Sequence, residues 1–320
     1  MTNSYQGLPR IGVSACLLGH QVRYDGGHKR NQFLIDELDE HVKFVPVCPE
    51  TAIGLGIPRP PIRLVGEPEN PRVLGVADSS LDVSRQLQEY AESQVAIFGN
   101  LSGFVLKKNS PSCGMQRVKV YSPADNSASR KGTGTFAQVI MQRLPLLPVE
   151  DEGRLNDAIL RENFINRVYV YQRWQQLLDK GLSASGLIDF HSAHKYMLMA
   201  HSKASYQRLG KLLSDLSCNT LPAIAGEYAE EMMTTLKRRI SRERHVNVLQ
   251  HIMGYLKKRI DTNDKAELTT SIEAYHRGEI PLIVPITLLQ DYFRNHQDTY
   301  MARQFYLSPY PENLGLRNSI

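Results

Sequence analysis

The chain has 320 residues, of which 42% are apolar and 22% are charged, and its formal net charge is +5. A chain of this length suits two domains, and this composition builds a globular core without disulfides. No apolar run is long enough to span a membrane, and the N-terminal residues lack the basic and then apolar pattern of a secretory signal. We therefore expect a cytoplasmic protein, with no membrane segment, whose cysteines stay reduced.

The first half of the chain alternates between short apolar runs and amphipathic stretches. The apolar runs predict strands over residues 11–15, 42–47 and 103–110. The amphipathic stretches predict helices over residues 31–41, 80–99 and 135–144. Strands that alternate with helices indicate a parallel sheet with crossover connections, so we expect a Rossmann-like α/β domain.

Two further segments of this half have no clear periodicity. Residues 122–134, rich in Ser, Asn, Asp and Gly, predict a mobile loop. Residues 56–64 carry Arg59 and Arg63 among prolines, which predicts an extended, basic run. A contact with phosphate and an ordinary surface loop both agree with that run.

The domain boundary is expected within residues 145–153, which hold two prolines and three acids. Strand signals nearly vanish beyond it, and the remaining segments have helical spacing. We therefore predict an α/β domain over residues 1–148 and an all-α domain over residues 149–320.

Three cysteines each follow a predicted strand: Cys16, Cys48 and Cys113. The carboxyl ends of parallel strands lie along one edge of a sheet, so these side chains are expected to converge there. Helix N-termini at that edge would lower the thiol pKa values, and three thiolates suit a soft metal or an iron–sulfur cluster. None of the three belongs to a CxxC pair, so spacing alone leaves open that they are small residues in tight turns. Cys218 stands alone in the second half and would be a fourth ligand only if the two domains meet there.

Four motifs around these cysteines resemble the thiouracil desulfidase family. They occur in the family's order within roughly residues 8–145, as GVSACLLG (12–19), VRYDG (22–26), CPE (48–50) and LKKNSPSCG (106–114). The resemblance implies a 4Fe–4S cluster that only Cys16, Cys48 and Cys113 hold. The second half resembles the helical domain fused to this desulfidase in tRNA 4-thiouridine desulfidases, through residues 191–202 and 306–318.

Such an enzyme replaces C=S by C=O without net electron transfer, as a hydrolase-like substitution. Three-cysteine ligation leaves one iron open, and a soft thiocarbonyl sulfur prefers such a site over a carbonyl oxygen. Glu50 is our candidate for general acid–base catalysis, the resemblance points to Ser110 as a substrate or proton-relay contact, and Asp25 is a third candidate. Each has a structural alternative: a first-turn acid, a helix cap and a turn residue, respectively.

A basic run in the second half is the candidate RNA contact. Residues 237–259 contain eight cations against the single Glu243, namely Lys237, Arg238, Arg239, Arg242, Arg244, Lys257, Lys258 and Arg259. Such a run suits phosphate contacts with tRNA, or is a solvated helix face. We therefore predict a desulfidase acting on 4-thiouridine in tRNA. The alternatives are a desulfidase of free thiouracil or thionucleotides, and a non-catalytic iron–sulfur protein that binds RNA.

Overall fold

A computed structural model describes residues 7–217 and 220–320. The chain divides after Asn156 into two compact units. The first unit is α/β and the second is helical, which confirms the predicted fold class. The division lies beyond the predicted position after residue 148, because the expected boundary segment contains a strand of the first unit's sheet.

The described residues of the first unit contain eight strands. They are β1 (Arg10–Ser14), β2 (Lys43–Val47), β3 (Ile62–Val65), β4 (Arg72–Gly75), β5 (Gly103–Leu106), β6 (Val118–Tyr121), β7 (Ala128–Gly132) and β8 (Val149–Asp151). Four of them form a fully parallel sheet in the order β2-β1-β5-β8, as predicted for this half. Gly12 lies at its centre, where an added Cβ would meet the Phe104 ring at 2.5 Å, so only glycine fits this close approach.

The other four strands form a second sheet that the sequence did not indicate, in the order β4-β3-β6-β7. The predicted loop over residues 122–134 is wrong in part, because residues 128–132 form β7 and pair antiparallel with β6. One face of this sheet packs Leu64, Val118 and Val120 into a core that also includes Leu87. Alternation along each strand therefore puts the intervening residues on the opposite face.

The helices of the first unit are α1 (Pro49–Ala52), α2 (Ser84–Phe98) and α3 (Thr135–Arg143). Two of them, α2 and α3, lie within the predicted ranges and pack against each other. The predicted helix over residues 31–41 is irregular: a π-helical turn at Phe33–Leu38 passes into a 3₁₀ turn at Asp39–His41. The short α1 follows β2 directly and carries Glu50 in its first turn.

The second unit is helical throughout its described residues. Its α-helices are α4 (Ala158–Asp179), α5 (Ala184–Ala193), α6 (Lys195–His201), α7 (Lys203–Leu212), α8 (Leu221–Leu236), α9 (Arg242–Met253), α10 (Thr262–Arg277) and α11 (Ile283–Asn295). Its C-terminal segment is held by a buried pair, in which Arg317 Nε lies 3.4 Å from Glu162 Oε1 and Tyr310 donates to the same oxygen at 3.0 Å. In the described parts of both units, every helix is too short or too polar to cross a membrane.

Candidate active site

The carboxyl edge of the parallel sheet carries the three predicted cysteines. Cys16 follows β1, Cys48 follows β2, and Cys113 lies on the loop after β5. All three thiols are free and line one cavity of about 440 Å³. The structure thus brings together side chains that are far apart in sequence, as the strand pattern predicts, while their role as cluster ligands stays a prediction.

The pKa values of the buried thiols differ from the sequence-based expectation. Burial raises the pKa of Cys16 to about 11, although the nearby charges of Lys107 and Arg23 oppose this shift. Burial also raises the pKa of Cys113 well above its usual range. The expected lowering by helix N-termini is wrong for these two groups, because desolvation of the thiolate outweighs it. Burial therefore favours the neutral thiols of Cys16 and Cys113, and a bound cation would favour their thiolates.

Three cysteine sulfurs are donors of the kind that iron–sulfur clusters take. The Cys113 pKa also responds to Cys16 and Cys48, so the three sulfurs lie within electrostatic range of one another. Within residues 7–217 and 220–320, however, no group of three His, Cys, Asp or Glu side chains is close enough for one metal ion. A cluster of several irons separates its ligands more widely, and soft thiolates are its usual donors. Cys218 lies outside the described residues.

Glu50 enters the same cavity and is held from two sides. Arg59 donates from Nε and Nη2 to Glu50 Oε2, at 2.9 and 2.7 Å. Ser112 donates its hydroxyl to Glu50 Oε1 at 2.8 Å. Arg59 is anchored in turn by the carbonyl oxygens of Val22 and Gly56. This arrangement fixes the carboxylate beside the thiols, where it can exchange a proton with a bound substrate.

Two of these contacts were missed from the sequence. Arg59 sits among prolines and suggested a phosphate contact or a surface loop, yet it is buried and pairs with Glu50. Ser112 is fully buried, whereas the serine predicted from the sequence is Ser110, two positions earlier. An acid nine positions before an arginine is too weak a sequence pattern to reveal such a pair.

Ser110 lines the cavity and also shapes the loop that carries Cys113. Its hydroxyl oxygen accepts from the backbone N–H groups of Ser112 and Cys113, at 3.2 and 3.0 Å. Both bonds use the oxygen as acceptor, so the hydroxyl proton can be donated to a substrate. The structural alternative and the proposed contact are therefore compatible.

Asp25 stabilises a turn in its own loop and does not line the cavity. It accepts from Gly27 N at 3.0 Å, and this hydrogen bond is the main reason that its pKa is lowered. It is not among the residues lining the cavity, whereas its neighbours Arg23 and Tyr24 are. The turn role has the geometric support, and a catalytic role for Asp25 stays a prediction.

The predicted RNA-contact cations are all exposed but do not form one helical stripe. The basic run divides between the two ends of α9, whose middle turns carry no Lys or Arg. Several of its arginines have partners within the helical unit: Arg239 with Asp157, Arg242 with Tyr275 O, Arg244 with His201 O and Arg259 with Asp298. Lys257 and Lys258 lie just beyond the C-terminal end of α9 and are exposed.

Comparison with known proteins agrees with this two-part organisation. Residues 11–152 match a family model described as 2-thiouracil desulfurase, and residues 195–311 match one described as a protein of unknown function, DUF1722. YbbK of Bacillus subtilis, described as uncharacterized, is 32% identical over 47% of this chain and 99% of its own length. YbgA of Escherichia coli, likewise uncharacterized, is 29% identical over 48% of this chain and 91% of its own length.

A solved structure described as the 4Fe-4S-dependent thiouracil desulfidase TudS is 32% identical, with 47% of this chain and 94% of that chain covered and a TM-score of 0.39. The family model covers all three cavity cysteines as well as Glu50 and Arg59. Together with the identity to YbbK over nearly its whole length, this match shows that the chain is an enzyme of the 2-thiouracil desulfurase family.

Proposed function

We propose that this enzyme removes sulfur from a thiolated uracil with the help of a 4Fe–4S cluster held by Cys16, Cys48 and Cys113. The observation that carries the proposal is the convergence of three free thiols on one cavity that also contains Glu50. A relative of 32% identity is described as a 4Fe-4S-dependent thiouracil desulfidase, which agrees with this donor set. When bound, such a cluster supplies a soft Lewis acid for a thiocarbonyl sulfur.

The net reaction replaces C=S by C=O, with water supplying the oxygen and hydrogen sulfide leaving. No oxidant or reductant is needed. In this proposal Glu50 takes a proton from the attacking water and returns it to the departing sulfur. Arg59 keeps the carboxylate in place through Oε2, so that Oε1, on the Ser112 side, is the oxygen that exchanges the proton. Ser110 donates a hydrogen bond from its hydroxyl group to the uracil ring of the substrate.

The substrate that we propose is 4-thiouridine within tRNA. The exposed cations at the ends of α9 support this choice, because phosphate contacts supply much of the affinity of RNA-binding proteins. The pairing edge of uracil carries position 4, so the base must be exposed before it enters the cavity. A cytoplasmic location, where tRNA is found and thiols stay reduced, belongs to the same proposal.

Free thiouracil or a thionucleotide is the second candidate. It is favoured by the description of the family, 2-thiouracil desulfurase, and by a cavity of about 440 Å³, which suits a single small ligand. The other sequence-based alternative, a non-catalytic iron–sulfur protein that binds RNA, is set aside because the chain belongs to an enzyme family.

One assay separates these candidates. Holoprotein reconstituted without air is given thiolated tRNA, a 4-thiouridine nucleotide and free thiouracil, and sulfide is measured for each. Preference for thiolated tRNA in kcat/KM supports the leading proposal, whereas preference for free thiouracil replaces it with the second candidate. Sulfide release from none of the substrates would refute both.

A further inference from the structure

Lys107 is a cation of the cysteine cavity to which the proposed reaction assigns no role. It directly follows the last residue of β5, at the same sheet edge as the cysteines, and it lines the cavity. Its side chain is only 18% exposed. Burying an ammonium group is costly unless a partner compensates for the lost hydration.

Glu152, in the turn after β8, is that partner. Lys107 donates from Nζ to Glu152 Oε1, and the other carboxylate oxygen accepts from Lys108 N at 2.6 Å. The backbone N–H group of Lys107 is held as well, because it donates to Ser14 Oγ at 2.9 Å. The lysine is therefore fixed at its backbone and at its side chain, which is how a preorganised electrostatic group is built.

The ion pair turns its positive end toward the sulfurs. The cavity lining, among the described residues, includes Lys107 but not Glu152. Burial is the main reason that the pKa of Cys16 is raised. Of the charges that act on this thiol, Lys107 has the largest effect and lowers the pKa, whereas the opposing effect of Glu152 is smaller. Because charges interact more strongly at shorter distance, the ammonium group lies nearer to Cys16 than the carboxylate does.

The ammonium group keeps a donor for a ligand. A lysine has three N–H groups to donate. Within the described residues, Lys107 Nζ donates to Glu152 Oε1 and to Lys108 O, the second at 3.1 Å. The third N–H group can therefore be donated to an acceptor inside the cavity.

Negative charge develops on the sulfur atom in the proposed reaction. Water adds to the C=S carbon through its oxygen and gives a proton to Glu50, while the π electron pair moves onto the sulfur. The C–S bond then breaks, its electron pair leaves with the sulfur, and the proton from Glu50 makes the leaving group hydrosulfide. The new hydroxyl group loses its proton to solvent as C=O forms. A cation fixed near the sulfur stabilises this developing charge.

We propose that Lys107 is a catalytic residue that stabilises the departing sulfur and binds hydrosulfide before it leaves. Glu152 is a positioning residue, because it acts by holding the ammonium group. The cavity then has two poles. After burial, the charge of Glu50 is one of the causes that raise the pKa of Cys113, so the acid lies on the Cys113 side and the cation on the Cys16 side. This inference rests on the proposed function, since it assigns a residue to the same reaction.

Hydrosulfide is the probe, because binding of this product requires no turnover. It is titrated without air into reconstituted holoprotein, and its dissociation constant is measured by isothermal titration. K107M removes the ammonium group and keeps an apolar stem, K107R keeps the charge, and E152Q keeps the ammonium group but removes the charge of its partner. The matched control is K108M, at the neighbouring lysine, which also lines the cavity but is exposed.

We expect K107M to weaken hydrosulfide binding about tenfold, the usual effect of losing one charge-assisted hydrogen bond. It should lower kcat for sulfide release about 10²–10³-fold, as loss of one oxyanion-hole donor does. KM should stay near the wild-type value, because the charge appears only in the transition state. K107R should recover most of the hydrosulfide binding, and E152Q and K108M should bind hydrosulfide as the wild type does.

Two results would overturn the inference: unchanged hydrosulfide binding in K107M, or equal weakening in K107M and E152Q, since the ion pair would then be only structural. Cluster absorbance is recorded on every variant. If K107M holds no cluster, E152Q decides: wild-type affinity for hydrosulfide supports the inference, and lost affinity or a lost cluster overturns it. Sulfide release from none of the thiolated uracils would refute the proposed function, whereas release with a kcat that K107M leaves unchanged overturns this inference alone.

Discussion

The ion pair between Arg59 and Glu50 provides a sharp test because the chain contains its own matched control. Arg59 donates from Nε and Nη2 to one carboxylate oxygen of Glu50, at 2.9 and 2.7 Å. Arg72 donates from the same two atoms to Asp82 Oδ2, at 3.0 and 2.7 Å. The side chains of the first pair are 5% and 14% exposed, and those of the second are 65% and 32% exposed. The two pairs thus share donor geometry and differ in burial.

Methionine at position 59 or 72 removes the guanidinium and keeps an apolar stem of similar length. In R59M the Glu50 carboxylate stays buried without its partner, which costs about 3–5 kcal/mol of unfolding free energy. In R72M the exposed pair contributes only about 0–1 kcal/mol. Adding E50Q to R59M removes the unpaired buried charge, so the double variant should regain most of the unfolding free energy that R59M loses.

Urea-dependent hydrogen exchange, read on peptides from residues 7–156 of the full-length protein, measures these free energies for the α/β unit alone. Cluster absorbance recorded on the same samples shows whether the thiol site still assembles. The reasoning is refuted if R59M and R72M lose equal stability, or if R59M/E50Q is no more stable than R59M.

Three further outcomes follow from the site and the helical unit. Replacement of Glu50 by Gln should leave cluster absorbance intact and lower kcat for sulfide release about 10²–10⁴-fold, the usual contribution of a general acid–base group; unchanged kcat would remove Glu50 from the chemistry. Serine at any one cavity cysteine should abolish cluster absorbance, whereas Cys218→Ser should leave it unchanged; loss of absorbance in Cys218→Ser would establish a fourth ligand. Burial lowers the pKa of His194 to about 3 and that of His201 to about 4, so below pH 6.5 the unfolded chain takes up these protons first and stability falls. Each histidine should cost the helical unit about 2 kcal/mol between pH 7 and 5, measured by urea unfolding through the fluorescence of the single tryptophan; a pH-independent midpoint would contradict this.

The parallel sheet and its cysteines could be predicted because each strand leaves a direct signal. β1, β2 and β5 are short apolar runs, and Cys16, Cys48 and Cys113 follow their last residues Ser14, Val47 and Leu106 in that order. Parallel topology then places strand ends that are distant in sequence at one edge. The convergence of the cysteines therefore follows from local patterns and one general rule.

The second sheet and β8 left no such signal. β7 carries Arg130 and Lys131 and has a largely exposed face, so its composition is typical of a loop. β8 contains two acids, Glu150 and Asp151, and both are buried. Glu150 is stabilised there by Arg154, four residues along the chain, whose Nε lies 2.6 Å from Glu150 Oε1 and offsets the desolvation of the carboxylate. Acids at an apparent boundary therefore indicated a linker where a strand was present.

The Arg59–Glu50 pair was not predictable for a related reason. Its two members lie in different elements, one in α1 and one in a proline-rich segment, and only the folded chain brings them together. The sequence shows that Arg59 is basic and rigidly placed, but a partner for it depends on how the loops close over the cavity. Side-chain pairing between loops is the level at which sequence patterns carry least information.

Mössbauer spectroscopy of holoprotein reconstituted with ⁵⁷Fe tests the central claim most directly. Ligation by Cys16, Cys48 and Cys113 alone predicts a cluster in which one iron differs from the other three, since it lacks a protein thiolate. Four equivalent irons, or a spectrum without a cubane cluster, would contradict it.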